Sequence, residues 1–132
     1  PILITTSQFK KTEKVMLAFD GSPTAHKTVQ MLAASPLCEG LTIHIVMVGA
    51  DSQDNQSELE NARSALASSG LMVQAEIRPG EVETVLHAYQ AEHAIDLLVM
   101  GAYGHSRIRQ FLVGSTTTTM LRTATIPVLL LR

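Results

Sequence analysis

The chain has 132 residues with a formal net charge of −2, and 45% of them are hydrophobic. This length suits one domain, and the hydrophobic content excludes an intrinsically disordered chain. No basic run is longer than Lys10-Lys11, which argues against a nucleic-acid-binding protein, because phosphate neutralisation requires a clustered basic face.

Five apolar runs alternate with four amphipathic segments and predict five strands. The runs are Val15–Phe19, Leu41–Val48, Leu71–Ile77, Asp96–Met100 and Pro127–Leu131. The first run has no polar side chain, so we expect that strand to be buried on both faces, as in a parallel sheet covered by helices. In the third run apolar and polar residues alternate, which indicates a half-exposed strand at an edge of the sheet.

Four helices are predicted between these strands. Ser22 and Pro23 supply the N-cap and first residue of the first helix. A capping box at Ser57–Glu60 predicts the start of the second helix. The fourth helix begins at Gly114-Ser115, and its run Thr116–Thr119 has poor helix propensity, so this helix depends on tertiary packing. The third helix has an inward stripe formed by Val82, Val85, Leu86 and Tyr89.

The alternating order of strands and helices, with right-handed crossovers, predicts an α/β fold with a doubly wound five-stranded parallel sheet and helices on both faces. Placing the half-exposed third strand at one edge gives the strand order 3-2-1-4-5. Ligands of such sheets bind beyond the carboxyl ends of the strands where the order reverses. Those ends are Asp20 on strand 1 and Gly101 on strand 4, so we expect a binding site near these two residues.

A short internal repeat links the two ends of the chain. Residues 1–5 (Pro-Ile-Leu-Ile-Thr) are similar to residues 127–131 (Pro-Val-Leu-Leu-Leu). We interpret residues 1–8 as the terminal strand and linker of an upstream copy of the same domain, and residues 9–132 as the domain itself. This chain would then be the second half of a tandem protein. The alternative is a native N-terminus with a chance similarity.

The most informative stretch begins at Gly101 and Gly104, directly after a buried strand, and ends where Gly114 opens a helix. Glycine lets a phosphate approach the backbone without a Cβ in the way, and a helix N-terminus offers free N–H groups and the positive end of the helix dipole. Further hydroxyl donors are supplied by Ser115, Thr116 and Thr117. The stretch is neither a P-loop nor a dinucleotide fingerprint, so the residues alone predict only a phosphate cradle.

The spacing G-x2-G-x9-G-(S/T) after a strand that ends Val-Met-Gly resembles the nucleotide loop of the universal stress protein family. Three other segments are similar to family segments in the same order: Val15–Ser22 to the first strand and turn, Ile43–Ile45 to the second strand, and Ile126–Leu129 to the last strand. Some members of that family bind ATP and keep the glycine loop, whereas others have lost it. This sequence keeps each glycine and so resembles the ATP-binding members.

The resemblance implies ATP as the ligand, with Mg²⁺ as a possible companion. Asp20 would lie near the adenosine and any bound metal, and Ile45 would contact adenine through its backbone. Met100 and Gly101 would flank the ribose and α-phosphate. The residues expected to hold the phosphates are Gly104, Gly114, Ser115 and Thr116, with Thr117 as a further candidate. The resemblance also implies a homodimer, or a tandem pseudo-dimer, paired through the apolar fifth strand.

Several of these residues have a purely structural alternative. Asp20 precedes a Ser-Pro helix start and would serve there as a cap without a ligand, and Gly101 and Gly104 would allow a tight loop. Loop arginines such as Arg107 are usually solvated. The five histidines show no metal-binding spacing, and His44, in a buried strand, is interpreted as a hydrogen-bonded core residue.

Binding is better supported than catalysis. ATP hydrolysis needs a positioned water, a metal and charge neutralisation, and no general base or lysine is found in the glycine stretch. We therefore expect turnover far below ~1 s⁻¹, and the resemblance implies a nucleotide-dependent sensor or regulator in the stress response. A nucleotide-free interaction module of the same fold remains the alternative. A phosphoryl-accepting receiver domain is disfavoured, because Arg78 and Arg132 stand where its Asp and Lys are needed.

The sequence also bears on location. No apolar stretch approaches the roughly 18 residues of a membrane helix, and no signal-peptide pattern is present. Cys38 is the single cysteine and cannot form an internal disulfide, which favours a reducing compartment. We therefore expect a cytoplasmic protein without a membrane partner.

Overall fold

The structure is a computed structural model that describes residues 1–102 and 115–131. The described strands are β1 (Ile2–Ile4), β2 (Lys14–Ala18), β3 (Thr42–Val48), β4 (Met72–Arg78), β5 (Leu97–Gly101) and β6 (Val128–Leu131). They form one sheet in the order β1-β6-β5-β2-β3-β4. Strands β2 to β6 all run parallel to one another, whereas β1 is antiparallel to its neighbour, β6.

Helices cover both faces of this sheet. They are α1 (Pro23–Ala34), α2 (Gln53–Ser68), α3 (Val82–His93) and α4 (Ser115–Thr123). Side-chain alternation along β2 divides the core: Val15 and Leu17 pack with residues of α1 and α2, and Met16 packs with residues of α3 and α4. The central strand is therefore buried on both faces, as its apolar sequence predicts. None of the helices in the described ranges is long and apolar enough to cross a membrane.

The predicted sheet is correct in its five parallel strands and incomplete at one edge. The predicted order 3-2-1-4-5 corresponds to β4-β3-β2-β5-β6, and β4 shows the alternating exposure expected of an edge. The prediction placed the last strand at the other edge, but β1 covers it and makes the sheet mixed and six-stranded. The reason is physical: an apolar edge strand with unpaired N–H and C=O groups is a template for further pairing.

The predicted start of the first helix is confirmed, whereas the predicted start of the second helix is wrong. Ser22 caps α1, because its Oγ accepts a hydrogen bond of 3.1 Å from the backbone N–H of Ala25. The second helix begins earlier than the capping box at Ser57–Glu60 predicted. Its N-cap is Ser52, whose Oγ accepts from the N–H of Asn55 at 3.2 Å, so Ser57 lies inside the helix.

A buried carboxylate joins the beginning of β2 to β5. The Asp96 side chain is 5% exposed, and its Oδ1 lies 2.6 Å from Nζ of Lys10. Its Oδ2 accepts hydrogen bonds of 3.0 Å from the backbone N–H groups of Glu13 and Lys14. Burial raises the pKa of this carboxyl, but the bonds to Lys10, Lys14 and Glu13 outweigh burial and hold the pKa below its ordinary value. Asp96 therefore stabilises the fold as an anion.

Replacing this anion with a neutral amide tests the anchor. We expect Asp96→Asn to lower the free energy of unfolding at pH 7 by about 1.5–3 kcal/mol, the range for hydrogen bonds to charged groups. Because the folded-state pKa is depressed, the contribution is present above the ordinary carboxyl pKa of about 3.9 and is lost as pH falls towards the folded-state value. Urea denaturation at pH 7 and pH 3 measures both differences. An equal deficit at both pH values would contradict the role of the charge.

Removing residues 1–6 tests the role of β1. Without β1 the apolar strand β6 has no partner on its outer side, so we expect a shift towards larger species in size-exclusion chromatography with light scattering. The control Leu3→Ser changes a 57% exposed side chain and keeps the backbone pairing, so it should elute like the full chain. An unchanged elution volume and melting temperature in the truncated chain would show that β1 does not protect the edge of β6 from further pairing.

Candidate functional site

A cleft opens at the carboxyl ends of β2 and β5, where the strand order reverses. The described residues enclose about 150 Å³ there. Ligands of open α/β sheets bind at this position, because two neighbouring crossovers leave the sheet on opposite faces and separate from each other. The topology therefore supplies the cleft, and the residues at the strand ends decide what it can hold.

The floor and one wall of the cleft are apolar. Alternation places Ala18 of β2, Val46 and Val48 of β3 and Met100 of β5 on the same face of the sheet. The wall comes from α3, whose residues Val82 and Leu86 are one turn apart and also line the cleft. Val82 is 38% exposed, whereas Leu86 is 1% exposed, so the surface continues from the solvent inward. Such a surface suits a flat, apolar ring system.

Asp20 stands at the rim, directly after β2. Its side chain lines the cleft, and its Oδ1 accepts a hydrogen bond of 2.9 Å from the backbone N–H of Ser22. The cap of α1 is Ser22 itself, so Asp20 shapes the turn before the helix without being its N-cap. Among the described lining residues, Asp20 is the only one with a charge.

The opposite rim is the beginning of α4. Thr117 is 9% exposed, and its Oγ1 donates a hydrogen bond of 3.2 Å to the carbonyl oxygen of Gly101. Ala102 O lies 3.4 Å from the same hydroxyl. Thr117 therefore attaches the first turn of α4 to the end of β5. Its neighbour Thr116 is exposed and also lines the cleft, so the first turn of α4 borders the cleft.

The structure brings together most of the described residues that the sequence singled out. The residues that line the cleft are Asp20, Met100, Gly101, Thr116 and Thr117. Ile45 does not line it: its side chain is completely buried on the other face of the sheet, in the core with α1 and α2. Strand alternation puts its neighbour Val46 at the cleft instead. Gly104 and Gly114 lie outside the described residues, and of Ser115 only its place at the start of α4 is described.

Sequence reasoning missed the apolar half of the cleft. Val46 and Val48 lie at alternate positions with His44 and face α3, a period-two signal visible in the second predicted strand. Val82 and Leu86 were recognised as the inward stripe of the third helix, but the sequence alone did not show that the stripe continues past the core to the cleft.

The described residues offer little for a metal ion held by protein alone. Within residues 1–102 and 115–131, no three His, Cys, Asp or Glu side chains are grouped to hold a metal. Asp20 supplies a carboxylate at the rim, and Mg²⁺ is commonly held by one or two carboxylates together with substrate phosphates and water. The donor set therefore fits a magnesium ion that arrives with a phosphate ligand.

Comparisons with known proteins give a consistent result. A profile described as the universal stress protein family matches residues 47–132, more than half of the chain. Universal stress protein Slr1230 of Synechocystis sp. (strain ATCC 27184 / PCC 6803 / Kazusa) is 45% identical over 134 residues, a match that covers all of this chain and 47% of that protein. The chain thus spans about half the length of this curated relative.

Solved structures share the fold at low sequence identity. The hypothetical protein MJ0577 has a TM-score of 0.80 at 18% identity, covering 91% of this chain and 95% of that one. A universal stress protein in complex with cAMP has a TM-score of 0.74 at 21% identity, covering 91% and 96%. The Arabidopsis thaliana protein At3g01520 with AMP bound has a TM-score of 0.68 at 17% identity, covering 89% of each chain.

The bond between α4 and β5 gives a prediction for the cleft rim. Thr117→Val keeps the side-chain shape and removes the hydroxyl that donates to Gly101 O, so we expect a loss of about 1 kcal/mol in the free energy of unfolding. Thr118→Val is the matched control, because it makes the same substitution at an exposed position in the same turn. Urea denaturation measures both variants. Equal stabilities would show that the hydroxyl bond does not hold the helix.

Proposed function

Because this chain belongs to the universal stress protein family, we propose that it binds ATP in the cleft at the carboxyl ends of β2 and β5 and acts as a nucleotide-dependent sensor or regulator in the stress response. One observation carries the proposal: at the switch point of the sheet, an apolar floor and a helix N-terminus border the same cleft. These two surfaces match the two chemically different parts of a nucleotide.

The apolar surface suits the adenine ring. In the proposal the ring packs between the β3 residues Val46 and Val48 and the α3 residues Val82 and Leu86. Val46 replaces Ile45 as the contact from β3, since alternation turns Ile45 to the other face. The ribose lies beside Met100 and Gly101.

The polar rim suits the ribose and phosphates. Gly101 presents no Cβ to an approaching phosphate. Thr116 and the first N–H groups of α4 are donors at the positive end of a helix dipole. Asp20 is an acceptor for the ribose hydroxyls, or a ligand for Mg²⁺ bound together with the phosphates. The other phosphate contacts in the proposal are those that the family resemblance implies at Gly104, Gly114 and Ser115.

Relatives support an adenine nucleotide as the ligand. Two proteins with this fold were solved with cAMP and with AMP. Both ligands share the adenosine part of ATP and differ from it in the phosphates. The adenosine half of the proposal therefore has support from those relatives, whereas ATP itself rests on the glycine spacing of the sequence.

Sensing fits the cleft better than hydrolysis. None of its described lining residues is Lys or Arg, the side chains that neutralise a γ-phosphate during hydrolysis. A bound nucleotide instead contacts both α3 and α4, which lie on one face of the sheet. Occupancy of the cleft would thereby set the relative position of two surface helices.

The proposal includes the cytoplasmic location that the single cysteine favours.

The β1–β6 pairing supports the further proposal that residues 1–8 come from an upstream copy, and that residues 9–132 are the second domain of a tandem protein. Leu3 pairs with Leu129, Ile2 with Leu130, and Ile4 with Val128. When residues 1–5 are aligned with residues 127–131 by their sequence similarity, Leu3 corresponds to Leu129, and the pairing becomes symmetric about that pair.

Two copies of β6 related by a two-fold axis would pair in this same register. β1 therefore takes the place that the last strand of a second domain would take, in a homodimer or in a tandem pseudo-dimer. The match to only 47% of the curated relative agrees with two copies in one chain.

Thermal melting with nucleotides tests the binding proposal. A ligand that binds only the folded state adds about 2.7 kcal/mol at a hundredfold excess over its Kd. We therefore expect ATP with Mg²⁺ to raise the melting temperature by several degrees. AMP, cAMP and ATP without Mg²⁺, measured in parallel, show which part of the ligand supplies the binding energy.

A matched pair of variants locates the site. Thr116→Glu places a carboxylate on the cleft rim, and we expect it to weaken ATP binding about tenfold or more through charge repulsion. Thr118→Glu adds the same charge to the same exposed turn outside the cleft lining and should bind like the original chain. Acidic residues are tolerated in the first turn of a helix, so both variants should fold. If no nucleotide raises the melting temperature, the nucleotide-free interaction module becomes the better account.

A further inference from the structure

One helix connects the cleft to a buried histidine cluster. On α3, Val82 and Leu86 line the cleft, and Tyr89 and His93 follow on the next turns. His44 of β3 is 3% exposed, and its Nδ1 lies 2.8 Å from the Tyr89 hydroxyl oxygen.

The three rings of this cluster are in close contact. The Tyr89 and His93 rings stack with centroids 4.1 Å apart at an interplanar angle of 23°. The centroids of His44 and His93 are 5.2 Å apart. A change of charge on His44 therefore acts directly on two side chains of α3.

Cations reach the cluster from two strands. Lys14 on β2 donates from Nζ to the carbonyl oxygen of His93 at 3.3 Å. Arg78 on β4 lies over the Tyr89 ring, 4.6 Å from its centroid.

The carboxylates near the cluster are already paired. Arg78 binds Glu76 on β4 at 2.9 Å and Glu92 on α3 at 2.7 Å. The charged and titratable groups facing His44 are therefore Lys14 from β2, Glu76 and Arg78 from β4, and Tyr89, Glu92 and His93 from α3. Since Arg78 engages both carboxylates, neither is free to pair with a proton on His44, and that proton would lie close to the Lys14 charge.

We propose that the His44–Tyr89–His93 cluster is an acid-sensitive switch: protonation of His44 displaces α3 and thereby changes the nucleotide cleft. The inference concerns the protein without ligand, so it stands or falls independently of the nucleotide proposal. It depends on the geometry of a buried imidazole, packed beneath the helix that also forms the cleft wall.

The direction of the pH effect follows from the surroundings of His44. Burial, then the charges of His93 and Lys14, lower the pKa of His44 below its ordinary value. As pH falls below about 6.5, His44 becomes protonated in the unfolded chain but stays neutral in the folded chain. The folded state therefore loses stability with falling pH until the folded-state pKa is reached. Above about pH 7 the group is neutral in both states and contributes no pH dependence.

The contacts of α3 allow a displacement at Tyr89 to reach the cleft. Its N-cap, Glu81, makes no side-chain capping bond, so the end nearest the cleft is not fixed by a cap. At the side, α3 is bonded to the α4 region: His87 Nε2 lies 2.7 Å from Thr123 Oγ1, and Gln90 donates to Thr125 Oγ1 at 2.9 Å. A shift of Tyr89 is therefore passed along α3 to Val82 and, through these bonds, to the helix that carries Thr116.

NMR titration of the ligand-free chain from pH 8 down to about pH 4 tests the proposal without any substitution. Imidazole resonances report the protonation of each histidine, and the methyl resonances of Val82 and Leu86 report the cleft wall. We expect His44 to titrate below the ordinary histidine range, with the two methyl groups moving at the same midpoint. An ordinary midpoint for His44, or methyl groups that do not follow it, would overturn the proposal.

A variant pair attributes the effect to one residue. His44→Gln keeps a hydrogen-bonding side chain that cannot be protonated. Between pH 7.5 and pH 5, we expect the melting temperature of this variant to fall by several degrees less than that of the original chain. His87→Gln replaces a half-buried histidine of the same helix, outside the cluster, with an amide that can still hydrogen-bond Thr123, and this variant should keep the original pH dependence. Equal acid sensitivity in His44→Gln and the original chain would contradict the proposal, and if His44→Gln does not fold, the titration of the original chain decides alone.

Discussion

Coverage of the sheet on both faces is the constraint on which the rest of this structure depends. Because β2 lies between two helical layers, its side chains from Val15 to Ala18 are apolar in both directions, since a polar group buried there without a partner would cost stability. Polar side chains that face solvent or a ligand therefore lie at the strand ends, where the chain turns into the next helix. At the switch point between β2 and β5, two such ends meet, and the cleft with Asp20 and Gly101 follows.

The same constraint explains what could be predicted from the sequence. Apolar runs predicted the parallel strands, the half-exposed third run predicted their order, and Ser22-Pro23 predicted the start of α1. Asp20 and Gly101 followed from the topology once the order was fixed. Ile45 shows the limit: the resemblance implied a backbone contact to adenine, but it did not show that strand alternation turns the Ile45 side chain to the layer of α1 and α2 and leaves Val46 and Val48 as the β3 side chains at the cleft.

Two other features needed the structure because they depend on pairing between distant segments. The similarity of residues 1–5 to the last strand indicated a relationship, but only the structure shows that β1 pairs antiparallel with β6 in a register centred on Leu3 and Leu129. Likewise, His44 was predicted as a hydrogen-bonded core residue, and its partner Tyr89 lies 45 residues away. Sequence spacing carries no signal for such a contact. Helix α3 then joins that contact to the cleft, because Tyr89, Val82 and Leu86 lie on the same helix.

The central claim, that the cleft binds an adenine nucleotide, is tested most directly by titrating the isotopically labelled chain with ATP and Mg²⁺ and following its methyl and amide NMR signals. The account predicts shifts at the cleft residues Val46, Val82, Leu86 and Thr116, on the α3 and α4 face. Ile45 and Leu66, buried on the opposite face, should change little. An unchanged spectrum at millimolar ATP, or shifts concentrated on the face covered by α1 and α2, would contradict it.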